Sequence, residues 1–152
     1  MSSDSEEEVR FRPIAIVHNE VAGGKYGDWQ DVVSRIVFRP EYVEALEGID
    51  AFSHIEVIFY IDRAHAPEEP RIHPRGRQDL PQVGYFSTHT PNRPNRIGVS
   101  TVRLLERTRD TLVVQGLDTF DGTPVLDIKP FVPRKEIVES ATVPEWMRHL
   151  HG

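Results

Sequence analysis

Two segments of the chain concentrate the residue types that can do chemistry. The first, residues 88–98, reads THTPNRPNRIG and places two prolines, two asparagines, two arginines and a histidine between two β-rich runs. Proline stiffens a loop, an asparagine amide can bind its own backbone or a base edge, and the arginine fork matches phosphate or carboxylate. This composition favours a rigid binding loop. The alternative is a loop whose arginine and asparagine side chains only satisfy backbone carbonyls.

The second segment, residues 117–130 (LDTFDGTPVLDIKP), carries three carboxylates and an Asp-Gly turn. Gly122 permits a positive φ and a close approach of the backbone to a ligand. Asp127 and Lys129 lie two residues apart, so they share one face of a predicted strand. They form either an acid–base pair with a function or an ion pair only.

Several kinds of site are excluded by what the sequence lacks. The chain has no cysteine, which removes disulfides, thiolate metal sites and thiol nucleophiles. Its seven histidines are irregularly spaced and form no HExxH motif, so we expect no metal. No GxSxG, GxxxxGK or GxGxxG string occurs, which argues against nucleophile-elbow hydrolases, P-loop enzymes and dinucleotide-binding folds.

Short β-rich runs separated by turn residues must position these segments. Residues 54–61 (HIEVIFYI) are dense in β-branched and aromatic residues, which predicts a central strand buried on both faces. Pro40 and Gly48 bracket good helix formers, which predicts one short helix at residues 41–46. Further strands are predicted at residues 13–19, 31–38, 83–88, 98–106, 111–118 and 124–132, with a flexible glycine-rich loop at 21–28 and a long proline-rich loop at 63–82.

This pattern predicts a mainly β fold, a small antiparallel barrel with one short helix and long loops, because a repeated βαβ pattern is missing. With 152 residues the chain fits one domain. We expect a disordered acidic tail at residues 1–8, the barrel at 9–135 and a C-terminal tail at 136–152 containing a short helix. The acidic start and the lack of a long apolar run predict a cytoplasmic protein without a membrane segment.

Charge is unevenly distributed along the chain. The formal net charge is −6, yet residues 71–109 carry eight arginines against Asp79 and Glu106, a local net charge of +6. This stretch offers a basic surface to an anionic partner such as nucleic acid. The alternative is that its arginines pair with the abundant carboxylates of the same chain.

Long strings of the sequence resemble one known family. LEGIDAFSHIEVIFYI, HPRGR, VGYFSTHTPNRPNRIGVSTVRLLE and GLDTFDGTPVLDIKPFVP follow in order, and they are similar to the TsaA-like (TrmO) proteins over residues 14–133. The resemblance implies a small β-barrel, usually a homodimer, that binds S-adenosylmethionine. It also implies methyl transfer to N6 of threonylcarbamoyladenosine next to a tRNA anticodon.

The resemblance also implies roles for individual residues. Because the cofactor carries its own leaving group, the reaction needs positioning, no metal, and a proton acceptor near the attacking nitrogen. The catalytic candidates are His89, Asp121 and Asp127. The expected cofactor contacts are Phe86, Ser87, Thr88, Arg93, Asn95, Leu117, Asp118, Gly122 and Thr123. The expected RNA contacts are Arg71, Arg75, Arg77, Arg96 and Lys129.

The sequence departs from the family pattern at three places. His89 stands where many members have arginine, Arg96 stands where many have proline, and the C-terminal extension of longer bacterial members is missing. Two alternatives therefore stand beside the tRNA methyltransferase. One is a methyltransferase acting on a small metabolite, and the other is a non-catalytic module that binds S-adenosylmethionine.

Overall fold

Six antiparallel strands close into a barrel, and two short strands form a separate sheet. The computed structural model describes residues 7–21 and 28–151. The strands are β1 (Ala15–His18), β2 (Val33–Phe38), β3 (His54–Tyr60), β4 (Arg71–Ile72), β5 (Val83–Gly84), β6 (Ile97–Arg107), β7 (Thr111–Gln115) and β8 (Pro124–Pro130). The barrel order is β1-β2-β7-β6-β3-β8, and β4 pairs with β5. The predicted antiparallel barrel is confirmed.

The core fills the barrel with alternate residues of each strand. In β3, Ile55, Val57 and Phe59 are buried while the residues between them are partly exposed, so the predicted burial on both faces is wrong. A barrel strand has one inward face only. A Cβ on Gly98 would lie 2.6 Å from the Phe59 ring, so the glycine makes room for this ring. The core also contains Ala15, Val17, Ile36, Phe38, Leu46, Val102, Leu112, Val114, Leu117 and Val125.

The helical segments are short and more numerous than predicted. The predicted helix is present at Pro40–Leu46, but it is a 3₁₀ helix. Leu46 is buried and Val43 packs against the core, and residues three apart eclipse each other on a 3₁₀ helix. Other 3₁₀ helices are Ile49–Ala51, Pro74–Gly76 and Tyr85–Ser87, and the α-helices are α1 (Pro133–Glu136) and α2 (Glu145–His151). The helix expected near the C-terminus is thus observed as α2.

Two predicted segments differ from the structure. The strand expected at residues 83–88 ends at Gly84 and continues as a 3₁₀ turn, because the N–H of Thr88 donates to the carbonyl of Tyr85 at 3.1 Å. The loop expected at residues 63–82 contains β4 and a 3₁₀ turn. Residues 1–6 of the expected acidic tail, and residues 22–27 of the glycine-rich loop, lie outside the described residues.

One rim of the barrel collects the long connections. The register places the ends of β1, β3 and β7 beside the starts of β2, β6 and β8. The connections that leave this upper rim are residues 19–32, 61–96 and 116–123. They include residues 88–96 of the first chemically rich segment and 117–123 of the second. The antiparallel topology alone therefore brings these parts to one end of the molecule. Within residues 7–21 and 28–151, no helix has the length and apolarity needed to cross a membrane.

Candidate functional site

A short segment that follows β3 connects the two chemically rich segments. Arg63 Nη2 donates a hydrogen bond of 2.8 Å to the carbonyl oxygen of Asp121, in the turn 118–123. The backbone N–H of His65 donates at 3.2 Å to Oδ1 of Asn92, in the loop 88–98. The bridging segment, residues 61–65, thus contacts the turn with one side chain and the loop with its backbone. The structure brings the loop and the turn together at the upper rim.

The turn is held by its backbone and by buried side chains. Gly122 has a φ of 92°, and its N–H donates at 2.7 Å to the carbonyl of Val17. The hydroxyl of Thr123 is buried and hydrogen-bonded, 2.8 Å from that of Thr119. Leu117 is fully buried in the core. The side chains of Leu117 and Thr123, both expected at the cofactor, therefore support the turn from inside the protein.

Two carboxylates of the turn project outward. Asp118 is exposed and accepts a hydrogen bond from the Ser100 hydroxyl of β6. The Asp121 carboxylate accepts the backbone N–H of Asn19 at 3.0 Å, and its Oδ1 lies 3.7 Å from Nδ1 of His18. The Asp121 side chain is 44% exposed, so it is oriented by the protein yet open to a ligand. This combination suits a carboxylate that accepts a proton.

Asp127 lies in a different setting from Asp121. It is in β8, opposite Ile58 of β3, on the outer wall of the barrel. Its Oδ2 is 3.4 Å from Nζ of Lys129, and its Oδ1 accepts the N–H of Ile128 at 2.9 Å. Of the two alternatives for Asp127 and Lys129, the geometry favours the ion pair.

Arg93 braces the loop from within. Its Nη1 donates to the carbonyl oxygens of Thr88 at 2.8 Å and Thr90 at 3.1 Å, and its guanidinium carbon lies 5.9 Å from the centroid of the Phe86 ring. Thr88 is buried, and its hydroxyl donates to the carbonyl of Tyr85 at 2.8 Å. The outward groups of this region are the Phe86 ring, which is 74% exposed, and the side chains of Ser87, His89 and Asn95.

Arg96 attaches the end of the loop to β3. Its Nη1 donates at 2.8 Å to the carbonyl of Ala64, and its Nη2 donates to the Tyr60 hydroxyl. The guanidinium carbon also lies 4.9 Å from the centroid of the Tyr60 ring. Arg96 has a φ of 51°, a region that non-glycine residues enter rarely. Arg96 was expected to contact RNA, but its guanidinium donates hydrogen bonds to groups of the protein itself.

The other arginines expected at RNA fall into two groups. Arg77 pairs with Asp79 through two hydrogen bonds of 3.1 and 2.6 Å. The hydrogen bond from Arg77 lowers the pKa of Asp79 and raises that of Arg77 itself. Arg71 in β4 and Arg75 beyond it are exposed, and their guanidinium groups contact no acceptor in the described part of the chain. Of the residues expected at RNA, Arg71 and Arg75 are therefore the ones that can bind an anion without breaking a contact with another described residue.

Sequence reasoning missed several residues that build this site. His18 is the last residue of β1, Asn19 follows it, and Arg63 follows β3. Each of them reaches the turn only because the barrel closes. The one sequence signal for these residues was their position at or just after the end of a predicted strand. Trp29 was also missed. In the structure its ring packs edge-on against Phe120, with the ring centroids 5.4 Å apart.

Comparison with known proteins decides the family. The model of the tRNA-methyltransferase O N-terminal domain matches residues 25–136, which include the bridging segment, the loop and the turn. The chain belongs to this TrmO N-terminal-domain family. The family resemblance inferred from the sequence motifs is therefore confirmed.

Two relatives show how far the TrmO similarity extends. A probable S-adenosyl-L-methionine-binding protein of Pyrococcus abyssi is 36% identical over 149 residues, which cover 93% of this chain and 78% of that protein. A tRNA (adenine(37)-N6)-methyltransferase of Mus musculus is 36% identical over 94 residues, which cover 61% of this chain and 21% of the mouse protein.

A solved TrmO structure has the same fold. The crystal structure of TrmO from P. aeruginosa superposes with a TM-score of 0.77 at 28% sequence identity and covers 95% of this chain. This chain spans 64% of the length of that TrmO chain. The barrel described above is thus the TrmO barrel, and the remaining third of the longer protein has no counterpart among these residues.

Proposed function

We propose that this protein is an S-adenosylmethionine-dependent methyltransferase that methylates N6 of threonylcarbamoyladenosine beside the anticodon of tRNA. The observation that carries the proposal is membership of the TrmO N-terminal-domain family together with the loop and turn joined by the bridging segment. The mouse relative is named for methyl transfer to adenine 37 of tRNA. The expected homodimer, the cytoplasmic location and the domain limits stay predictions.

S-adenosylmethionine is the cofactor named for relatives of this chain, which agrees with the expectation from the sequence. The residues at the upper rim fit this molecule. The Asp118 carboxylate can accept hydrogen bonds from the ribose hydroxyl groups. The exposed Phe86 ring offers a surface on which adenine can stack. Gly122, with no Cβ and a φ of 92°, lets the backbone approach the ligand closely.

Bound S-adenosylmethionine supplies a methyl group on a good leaving group, so the protein's task is alignment and proton removal. Arg63 fixes the turn through the Asp121 carbonyl, and Arg93 fixes the loop, which keeps the two walls of the site rigid. The acceptor nitrogen is a weak nucleophile and must lose a proton. Among the three catalytic candidates Asp121 is best placed, because it lies in the turn, is oriented by Asn19 and has His18 beside it.

The direct test is methyl transfer from labelled S-adenosylmethionine to tRNA that carries threonylcarbamoyladenosine but lacks the final methyl. We expect one methyl group per tRNA, recovered on the modified nucleoside after nuclease digestion. The matched control is the same tRNA already methylated, which should accept none. Cofactor binding without transfer to this tRNA would contradict the proposal.

The naming of the P. abyssi relative favours a second candidate. That protein covers most of this chain and is described only as a probable S-adenosyl-L-methionine-binding protein. A non-catalytic module that binds the cofactor would give tight binding in calorimetry and no labelled product with tRNA or with metabolite pools. Transfer to a metabolite fraction but not to tRNA would instead identify a small-molecule methyltransferase.

A further inference from the structure

The barrel wall contains an opening beside the proposed site. β7 ends at Gln115, opposite Arg103, so residues 97–102 of β6 have no partner in β7. Gln30 lies across this gap, since its carbonyl accepts the side-chain amide of Gln115 at 3.1 Å. A cavity of about 660 Å³ results, which we call the seam cavity. Its lining includes Asp28, Trp29, His54, Ser100, Arg103 and Asp118.

The seam cavity combines three kinds of group. Trp29 contributes a half-buried indole ring. Arg103 is exposed, and its guanidinium forms no hydrogen bond or ion pair within the described residues. It lies opposite His54 in the β3–β6 register, so two nitrogen-bearing side chains are neighbours on the outer wall. Two carboxylates, Asp28 and Asp118, complete the set.

These groups match the parts of one nucleotide. An indole ring stacks on a base of any identity, an unpaired guanidinium binds phosphate, and a carboxylate accepts ribose hydroxyls. The two carboxylates are already oriented, because Asp118 accepts from Ser100 and Asp28 Oδ1 accepts the N–H of Gln30 at 3.1 Å. An anion alone would gain nothing from the indole ring, and an apolar ligand would leave Arg103 unused.

We propose that the seam cavity binds one nucleotide of the RNA substrate, with the base at Trp29, the ribose at Asp28 and the phosphate at Arg103. This inference rests on the proposed function. Trp29 packs on Phe120, and the Arg63 guanidinium lies 5.6 Å from the centre of that ring, so the cavity adjoins the turn. The bound nucleotide would hold the RNA beside the site of transfer. Three expected RNA contacts, Arg77, Arg96 and Lys129, are engaged elsewhere, which leaves this role open.

The test compares Trp29→Ala and Arg103→Ala with Arg109→Ala, an exposed arginine in the β6–β7 turn that does not line the cavity. We expect each cavity variant to weaken tRNA binding about tenfold, while Arg109→Ala changes it less than twofold. Arg103→Ala should also reduce the salt dependence of binding by about one unit of log–log slope. Affinity for S-adenosylmethionine, measured by calorimetry, should be unchanged in both.

A fluorescence measurement gives an independent readout. The chain has two tryptophans, so Trp146→Phe leaves Trp29 as the single reporter. Adding tRNA should quench its emission, whereas adding S-adenosylmethionine alone should not. Arg103→Ala keeps the test valid if Trp29→Ala fails to fold, because Arg103 is exposed on the barrel wall.

The outcomes separate this inference from the function on which it rests. If the unmutated protein methylates tRNA but both cavity variants bind it like Arg109→Ala, the inference is wrong and the function stands. If cofactor affinity falls together with tRNA affinity, the cavity belongs to the cofactor and the inference is also wrong. If the unmutated protein binds no tRNA, both fail.

Discussion

The loop 88–98 and the turn 118–123 are both rich in polar groups, but they use them in opposite ways. In the loop the long side chains of Arg93 and Arg96 fold back onto carbonyl oxygens of their own protein. In the turn the backbone and buried residues provide support, and the short side chains of Asp118 and Asp121 project outward. A long guanidinium can reach several internal acceptors, whereas a short carboxylate stays where the backbone places it. Charge density alone therefore does not identify the binding residues.

The largest effect should come from the turn. Asp121→Asn keeps an oxygen for the Asn19 N–H but can no longer accept a proton, so we expect methyl transfer to fall about 100-fold or more. Asp127→Asn, the matched control on the barrel wall, should change the rate less than about threefold. Single-turnover rates at saturating cofactor and tRNA measure both. Equal losses in the two variants would remove the distinction between the carboxylates.

Within the turn, we expect a buried residue to stabilise the fold and an exposed residue to bind the cofactor. Leu117→Ala removes a fully buried side chain and should lower the free energy of unfolding by about 2–5 kcal/mol. Asp118→Ala, one residue later and exposed, should change it by about 0.5 kcal/mol or less and weaken cofactor binding instead. Urea denaturation and calorimetry on the same preparations test the pair. Reduced cofactor affinity in a fully folded Leu117→Ala protein would contradict the assignment.

In the loop we expect the charged side chain of Arg93 to affect stability rather than cofactor affinity. Arg93→Ala leaves the carbonyl groups of Thr88 and Thr90 without their charged donor, which should cost about 1–2 kcal/mol of stability. Affinity for S-adenosylmethionine should change less than about threefold. Thermal melts followed by calorimetry below the melting range provide the measurement. A large loss of affinity with unchanged stability would return Arg93 to the role of a ligand contact.

The smallest effect concerns an arginine held by a surface ion pair. The Arg77 hydrogen bond keeps the pKa of Asp79 below its ordinary value. The stability that the pair contributes is therefore present above the ordinary pKa and is lost as the pH falls through the lowered one. Asp79→Asn should free Arg77 at neutral pH, tighten tRNA binding about twofold and steepen its salt dependence. Filter binding at several salt concentrations measures this, and unchanged binding would mean that Arg77 lies away from RNA.

The sequence predicted the barrel well because its strands carry alternating or dense β-branched residues between turn residues, as in β3 and β7. It failed at residues 85–87, where the aromatic residues favour a strand but a 3₁₀ turn forms. In the site, Asp121 was predicted from its turn, yet Arg63 and Asn19 were not. These partners are 58 and 102 residues from Asp121 in the chain, and local patterns contain no information about such contacts.

The hydrogen bond between Asn19 and Asp121 has a consequence for synthesis on the ribosome. The connections at the upper rim cannot come together before β8 has formed. Both β1 and β3 pair with β8, and β8 directly follows the turn. A nascent chain that has not yet exposed residues 124–130 therefore has the loop but no complete binding site. Contacts so distant in sequence also slow folding, because the entropy of loop closure must be overcome first. The protein should acquire ligand affinity abruptly once residues 124–130 have left the ribosome, rather than by degrees.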